Sequence, residues 1–587
     1  MVILGISFET HESSVALLDD GRILFAAAEE RYSRIKMDDS GPIRALQAGL
    51  RHTGLCPSDI DIVAISGFAP PRNWYMYARH VIVQKAFTSG RDLRSVQFRL
   101  GNRDVVLRGP AGVLANLALC TGAPQVLLLY LLRRMRIARS LRGFKGSVTH
   151  ISHHDCHVAS ACFTAGFDEC LSVVVEGSDW RHTFVMDEYA EGSFRAVAKT
   201  RWPHSPGSFY ELATTLLGFN YLRHGGKVTG LAAHGNPRVA YEKVAPLMRA
   251  EGLEIRVSPL IYTLREEYLL SGKIPSYFAE YAHADIAAAF QRRLEDVVVE
   301  TVSAALQKIK HSCVVLAGGV TSNVVLNERV NGINGVEKIF VHPAMTDAGQ
   351  ALGAALYAHN RELRKSGQHA RPMRLRDVYL GSEYDDDEIR AALEEAGVKY
   401  VKVDDMEVEV ARLLADKQVV ARFNGRMEYG PRALGNRSIL AHAGDPEVND
   451  WLNKRLQRTE FMPFAPSVLA DESERYFPQV KGAEHAAEFM TLTFRCSDEM
   501  KARCPGVVHV DGTARPHFVV DEKNPSYGKI LREYFKRTGV AVILNTSFNM
   551  HEEPIVCSPA DAVRAFQAAG IDYLAIGNYL VARDGLR

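Results

Sequence analysis

The sequence predicts an α/β lobe with a duplicated sheet and a helical insertion, followed by a separate α+β unit. Three observations predict it. A strand–turn–strand–turn–strand pattern occurs twice, helical stretches follow each copy, and the pattern changes after a polar, Pro-containing stretch. The first copy opens with "VILGIS" (Val2–Ser7). It continues through "SVALLDDG" (Ser14–Gly21), whose Asp-Gly pair reads as a hairpin turn, and returns in "RILFAAAEE" (Arg22–Glu30). The second copy is "CLSVVVEG" (Cys170–Gly177), "RHTFVMDE" (Arg181–Glu188) and "SFRAVAKT" (Ser193–Thr200). Ile286–Lys310 carries apolar residues at helical spacing. Residues 71–146, between the copies, form an Arg-rich, aromatic insertion with several helical runs, read as a lid or acceptor-side element. "HNRELRKSGQHARPMR" (His359–Arg374) reads as a linker, so the expected units are 1–360, a linker at 361–374, and 375–587.

At 587 residues the chain is too long for one compact core. Its 70 Lys+Arg balance 69 Asp+Glu, so bulk charge argues neither for nucleic acid nor for an anionic membrane. Nine scattered cysteines, with no paired C-x-x-C, give no disulfide framework or zinc ribbon. "MVILGISFET" lacks the order of a signal peptide, and Val126–Leu132 is too short to span a bilayer. A reducing cytoplasm is the expected location.

The chemistry-bearing stretches begin with "HHDCHVASA". His153 and His157 are four apart, so on a helix they share a face and could chelate one metal, which Asp347 or Glu176 would complete as a two-His, one-carboxylate site. For a bare H-x3-H, a helix start with exposed histidines is the more common case. "LAGGVTSNVVLN" sets Gly318 and Gly319 after a strand, where the backbone can approach a nucleotide; a tight turn is the plainer reading. "HGGKVTGLAAHG" adds a Gly-rich turn with Lys227, and "VHPAMTDAGQALGAA" puts Asp347 between a strand and a small-residue helix. "THESS" and "EERYSRIK" bring His11 and Lys36 to one rim of the first sheet. There His11 suits a general base and Lys36 an oxyanion partner, against a capping histidine and a solvated lysine.

"FNGRMEYGPRALGNRS" (Phe423–Ser438) sets Arg426, Arg432 and Arg437 in one short stretch. Three neighbouring cations repel unless an anion lies between them. "NKRLQRTEFMPFAPSV", "HVDGTAR" and "LNTSFN" add Arg458, Arg515 and Ser547, and Arg432 with these three suits a small phosphate. A surface salt bridge explains any one arginine, but poorly explains four such turns in one small unit.

Ten stretches, among them "HESSVALLDDG", "GGKVTGLAAHG", "GRMEYGPRALGNRS" and "LNTSFNMHEEPIVCSPADA", together resemble the O-carbamoyltransferases of nodulation and antibiotic tailoring, from residue 5 to about 565. The resemblance implies an N-terminal domain of the actin/sugar-kinase type and a C-terminal domain like threonylcarbamoyl-adenylate synthases. It implies that carbamoyl phosphate is hydrolysed in the C-terminal domain and that the carbamate is adenylated by ATP in the N-terminal one. A hydroxyl of a small-molecule acceptor then takes the carbamoyl group. By position it implies His11 and Lys36 at transfer, and His153, His157 and Asp347 at a metal, iron more than magnesium. It implies Lys227, Gly318, Gly319 and Asn323 near the nucleotide, and Arg432, Arg458, Arg515 and Ser547 at carbamoyl phosphate. Three residues depart from the family pattern. Glu176 stands where an aspartate is common, and Leu456 and Met462 stand where basic residues are, which shifts those contacts to Lys454 or Arg458. Two other readings are a tRNA threonylcarbamoyl-type transferase, disfavoured by the neutral charge, and an actin-like ATP switch, which leaves the arginine-rich unit without a purpose.

Overall fold

The computed structural model describes residues 1–8, 12–67, 132–177, 181–457, 464–583 and 585 in full, and 95–100, 103–108 and 123–131 as backbone. The first meander is β1 (Val2–Ser7), β2 (Ser14–Asp19) and β3 (Arg22–Ala28), and β4 (Ile62–Ser66) and β5 (Ser147–Ile151) extend it. The sheet order is β3-β2-β1-β4-β5; the meander is antiparallel, and β4 and β5 run parallel to β1. The second sheet repeats this plan with β6 (Glu169–Val175), β7 (His182–Ala190), β8 (Ser193–Arg201), β9 (Cys313–Ala317) and β10 (Lys338–Val341). Its order is β8-β7-β6-β9-β10, with the same pattern of antiparallel and parallel neighbours. The predicted duplication is therefore observed strand for strand.

The turns explain why both meanders form. Asp20 and Gly21 both have positive φ, as do Glu191 and Gly192, the backbone that a two-residue hairpin turn requires. Between the sheets lies the helix Gln350–Lys365. Its small residues Ala351, Ala354, Ala355 and Ala358 are buried in an apolar cluster that also takes in Ile3 of β1, Val174 of β6 and Val315 of β9. A Cβ on Gly5 would come within 1.9 Å of the Ala351 carbonyl oxygen, and one on Gly353 within 1.8 Å of that of Cys156. Glycine at these positions lets the helix lie directly on β1 and on the helix His153–Ala165.

The C-terminal unit is an eight-stranded mixed sheet. Its strands are β11 (Val401–Lys402), β12 (Val420–Phe423), β13 (Arg437–His442), β14 (Ala465–Leu469), β15 (His517–Val519), β16 (Val542–Ser547), β17 (Tyr573–Ile576) and β18 (Tyr579–Ala582). The order is β11-β18-β17-β12-β13-β16-β14-β15. Backbone bonds tie it to the N-terminal sheets: Ala26 N–H donates to Leu380, and Ile339 N–H to Gly482, each at 3.1 Å.

Three expectations need correction. The insertion is not purely helical: Ser95–Leu100 and Arg103–Arg108 pair as an antiparallel hairpin ahead of the helix Ala123–Ser140. "SVQFRL" alternates apolar and polar residues, a strand period that the helical reading passed over. The stretch read as a linker begins as helix up to Lys365. Its Asn360 donates to the Gly192 carbonyl at 2.8 Å, so a nearby hairpin turn holds polar residues in ordered structure. The Gly-rich turn around Lys227 is the first turn of a helix, Gly225–Ala232. Among the described residues no helix is long and apolar enough to cross a membrane.

Candidate functional site

His153 and His157 stand one turn apart on the helix His153–Ala165, which Ser152 caps by accepting the Asp155 N–H at 3.2 Å. Both imidazoles are buried, not exposed, and their ring centroids are 4.9 Å apart. Asp347 opens the turn into the inter-sheet helix, and Glu176 follows β6. His157 Nε2 is 3.3 Å from Asp347 Oδ1 and 3.3 Å from Glu176 Oε1, and His153 Nε2 is 3.6 Å from Asp347 Oδ1. One donor atom from each of these four buried residues lies within 4.8 Å of all the others. Burial first, and then the neighbouring Asp347 carboxylate, hold the Glu176 carboxyl well above its ordinary range. Two imidazoles and two buried carboxylates facing one another fit a divalent transition metal, whose charge offsets that repulsion.

Sequence reasoning missed one member of this cluster. The buried Gln350 carboxamide Nε2 lies 2.7 Å from Asp347 Oδ1 and 3.1 Å from His157 Nε2. Its signal was position, three residues after Asp347 at the start of the same helix.

The cluster opens onto a cleft of about 950 Å³ between the N-terminal sheets and the C-terminal unit. Lys36, Lys227, Gly319 and Asn323 line one side of it, and Arg432, Arg515 and Ser547 the other. His11 and Arg458 lie outside the described residues, as does Met462. Gly318 has φ +100°, and a Cβ there would come 2.4 Å from the Val175 carbonyl oxygen, so this glycine serves a close strand crossing. The Gly319 N–H donates to the Glu176 carboxylate. Asn323 caps the helix Val324–Asn331 by accepting the Leu326 N–H at 3.1 Å, and its amide donates to Gln291 at 2.8 Å. Lys227 is buried on the first turn of its helix, its ammonium 6.0 Å from the centre of the Phe219 ring.

The three-arginine stretch does not converge on one anion, which corrects the expectation. Arg426 donates to the carbonyls of Gly381, Leu380 and Leu24, at 3.1, 2.7 and 2.9 Å. Arg437 is fully buried, donates to the carbonyls of Asn424, Gly425 and Asn436, and stacks 3.6 Å from the centre of the Phe423 ring. Both are spent on backbone. Arg432 alone of the three lines the cleft. Its Nε is buried without a hydrogen-bond partner, and desolvation pushes the guanidinium down to about 10. The side chain is half-buried in the cleft wall, and a partly desolvated cation there stabilises an anion brought to it.

The loop presenting Arg432 is pinned by the buried Glu428, whose Oε1 accepts the N–H groups of Leu434, Asn436 and Arg437 at 2.8, 2.8 and 3.1 Å. Lys454, expected to replace basic residues absent at positions 456 and 462, is exposed and is not in the cleft lining. Sequence reasoning also missed Arg31, a nearly buried cleft residue that donates to the Gly430 carbonyl at 2.6 Å. Asn545 and Thr546 join Ser547 in the wall at the end of β16.

Comparison with known proteins matches residues 2–356 to the family described as carbamoyltransferase N-terminus, and 411–583 to carbamoyltransferase C-terminus. An uncharacterised protein of Synechocystis is 30% identical over 99% of this chain and 96% of its own length. The nodulation protein NolNO of Sinorhizobium fredii is 31% identical over 98% of this chain and 79% of its own. Among solved structures, component A of the Acidaminococcus fermentans (R)-2-hydroxyglutaryl-CoA dehydratase aligns at a TM-score of 0.32 and 14% identity, covering 62% of this chain and 98% of that one.

Proposed function

The chain belongs to the carbamoyltransferase family, and from that premise we propose that it is an O-carbamoyltransferase running two stages in one cleft. In the first stage Arg432 and Arg515, with Ser547 and Arg458, hold the phosphate of carbamoyl phosphate. Water adds at the carbonyl carbon, the C–O bond to phosphate breaks, and carbamate and phosphate result. The arginines neutralise charge on the leaving phosphate as that bond breaks. In the second stage a carbamate oxygen attacks the α-phosphorus of ATP and pyrophosphate leaves. The hydroxyl of a small-molecule acceptor then attacks the carbonyl carbon of the carbamoyl-adenylate, and AMP leaves. His11 takes the hydroxyl proton, and Lys36 stabilises the developing oxyanion or the departing AMP. Lys227 and the Gly318-Gly319-Asn323 turn lie against the nucleotide.

His153, His157 and Asp347, with Glu176 alongside, would hold a divalent ion, and the two imidazoles favour iron over magnesium. When bound, that ion supplies positive charge beside the nucleotide. We read the duplicated sheets as an actin/sugar-kinase-type nucleotide domain, on the strength of their repeated topology. The C-terminal unit we read as a counterpart of threonylcarbamoyl-adenylate synthases, on the strength of the arginines along its wall of the cleft.

The observation that carries this reading is the continuous cleft bordered by both residue sets. Carbamate is short-lived in water, so a shared cleft favours transfer without release. The test gives Arg515→Ala and His11→Ala variants either carbamoyl phosphate plus ATP, or preformed carbamoyl-adenylate. Carbamoyl-adenylate should restore product in the Arg515 variant and not in the His11 variant. The reverse pattern in folded proteins defeats the two-stage assignment.

A further inference from the structure

Arg223 and His224 precede the helix Gly225–Ala232 on the N-terminal side of the cleft, and Glu552 faces them from the C-terminal unit; all three line the cleft. His224 Nε2 is 2.7 Å from Glu552 Oε1, and Arg223 Nη1 is 3.3 Å from Glu552 Oε2. A second Arg223 nitrogen donates to the Lys36 carbonyl at 3.3 Å, so the contact also holds the segment carrying Lys36. We propose that Arg223 and His224 form a subsite for a diphosphate group, and that Glu552 is an internal anion which that group displaces when the cleft loads.

The chemistry on each side supports the exchange. The wall offers Arg223, His224, Lys36 and the buried Lys227, and His551 Nε2 lies 3.8 Å from Glu552 on its own loop. His224 stands at the N-cap of the helix whose first turn carries Lys227, and both side chains line the same cleft. Gly225 and Gly226 leave the helix start open: a Cβ on Gly226 would meet nothing within 4 Å, and one on Gly225 only the Tyr210 ring at 3.9 Å. A single carboxylate is a poor match for three cationic side chains and two imidazoles, and a diphosphate, with more charge and more acceptor oxygens, matches them better.

Glu552 is also an unusual choice for its backbone. Its φ is +60°, a conformation that favours glycine over glutamate. The adjacent Glu553 is engaged by Arg564 at 2.7 and 3.0 Å, leaving Glu552 as the carboxylate that crosses the cleft. Burial opposes ionisation of Glu552, but the bond from His224, the charges of His224 and Lys36, and the bond from Arg223 hold its carboxyl down at about 2.

This proposal rests on the cleft binding a nucleotide, and its test reads binding directly, so failure of carbamoyl transfer would not be mistaken for its failure. Calorimetry on the full chain compares inorganic pyrophosphate with orthophosphate for the native protein, Glu552→Gln and Glu552→Gly; the glycine variant suits the positive φ and guards against misfolding. Both variants should bind pyrophosphate about tenfold more tightly, since a competing charge-assisted contact is gone. Adding Arg223→Ala to Glu552→Gln should reverse the gain. Orthophosphate affinity should change less than about twofold, a gap of under 0.5 kcal/mol. Pyrophosphate affinity unchanged in both variants, or orthophosphate tightening as much as pyrophosphate, overturns the proposal.

Discussion

Arg432 and Arg426 are six residues apart on one loop, yet they do opposite work. Arg426 satisfies three backbone carbonyls, whereas Arg432 carries a cleft-facing charge with a buried, unpartnered Nε. If Arg432 holds the donor phosphate, Arg432→Ala should raise KM for carbamoyl phosphate about 10- to 100-fold, the loss of one charge-assisted contact. Arg432→Lys should fall between, because lysine keeps the charge but not the planar fork. Steady-state kinetics with ATP saturating checks both. Glu29 makes a different residue-scale prediction. It is buried, and burial raises its carboxyl to about 7, against the lowering effect of the Ala45 and Arg44 N–H groups it accepts. The folded protein therefore binds a proton there between about pH 4.5 and 7 that the unfolded chain has lost. Stability from this group is full below 4.5 and is lost as pH rises through 7. Denaturant midpoints at pH 5 and pH 8 should show that fall, and Glu29→Gln should flatten it.

At the scale of elements, the inter-sheet helix Gln350–Lys365 brings Asp347 and Gln350 to the two histidines. It does so because Gly353 lets it touch the carbonyl of Cys156 on the histidine-bearing helix. Gly353→Ala would force a methyl group into 1.8 Å of that oxygen, and backbone cannot step aside as a flexible side chain can. The expected cost is about 1–3 kcal/mol, from overpacking. Spreading of the two helices should also lower the bound metal per chain. Thermal melts and metal analysis of the purified variant read the two effects. A lowered melting temperature with full metal content would show that the helix contact does not position the cluster.

At the scale of the molecule, the two units are joined by long side chains as well as by backbone. Arg34 donates to the carbonyls of Pro554 and Ile555 at 2.7 Å each, and its Nε lies 3.3 Å from Asp561. Arg34→Ala removes all three contacts at the side of the cleft. If carbamate passes internally, the variant should consume carbamoyl phosphate while delivering less of it to acceptor. The ratio of carbamoylated product to released phosphate should fall, measured in one reaction. An unchanged ratio in a folded variant would mean that this clasp does not seal the passage.

The elements were legible because local patterns encode them. Asp20-Gly21 announces a hairpin, and the strand patterns of the two copies yield two meanders that the structure extends into matching five-stranded sheets, the second turning at Glu191-Gly192. The spacing of His153 and His157 put them on one helical face, as observed. A hairpin in the insertion was equally local and was missed because its helical neighbours dominated the reading. Tertiary structure alone decided which long side chains face the cleft. Arg426, Arg432 and Arg437 share a local context, but Leu24 and Gly381 lie within reach of Arg426, the turn at Asn424 and Gly425 within reach of Arg437, and the cleft before Arg432. Gln350 and Glu552 likewise take their meaning from chain segments far away in sequence. The reason is physical. Backbone dihedral preferences and side-chain periodicity are set by neighbours along the chain, whereas the partner of a flexible charged side chain is set by whichever carbonyl, carboxylate or open space the fold brings to its tip.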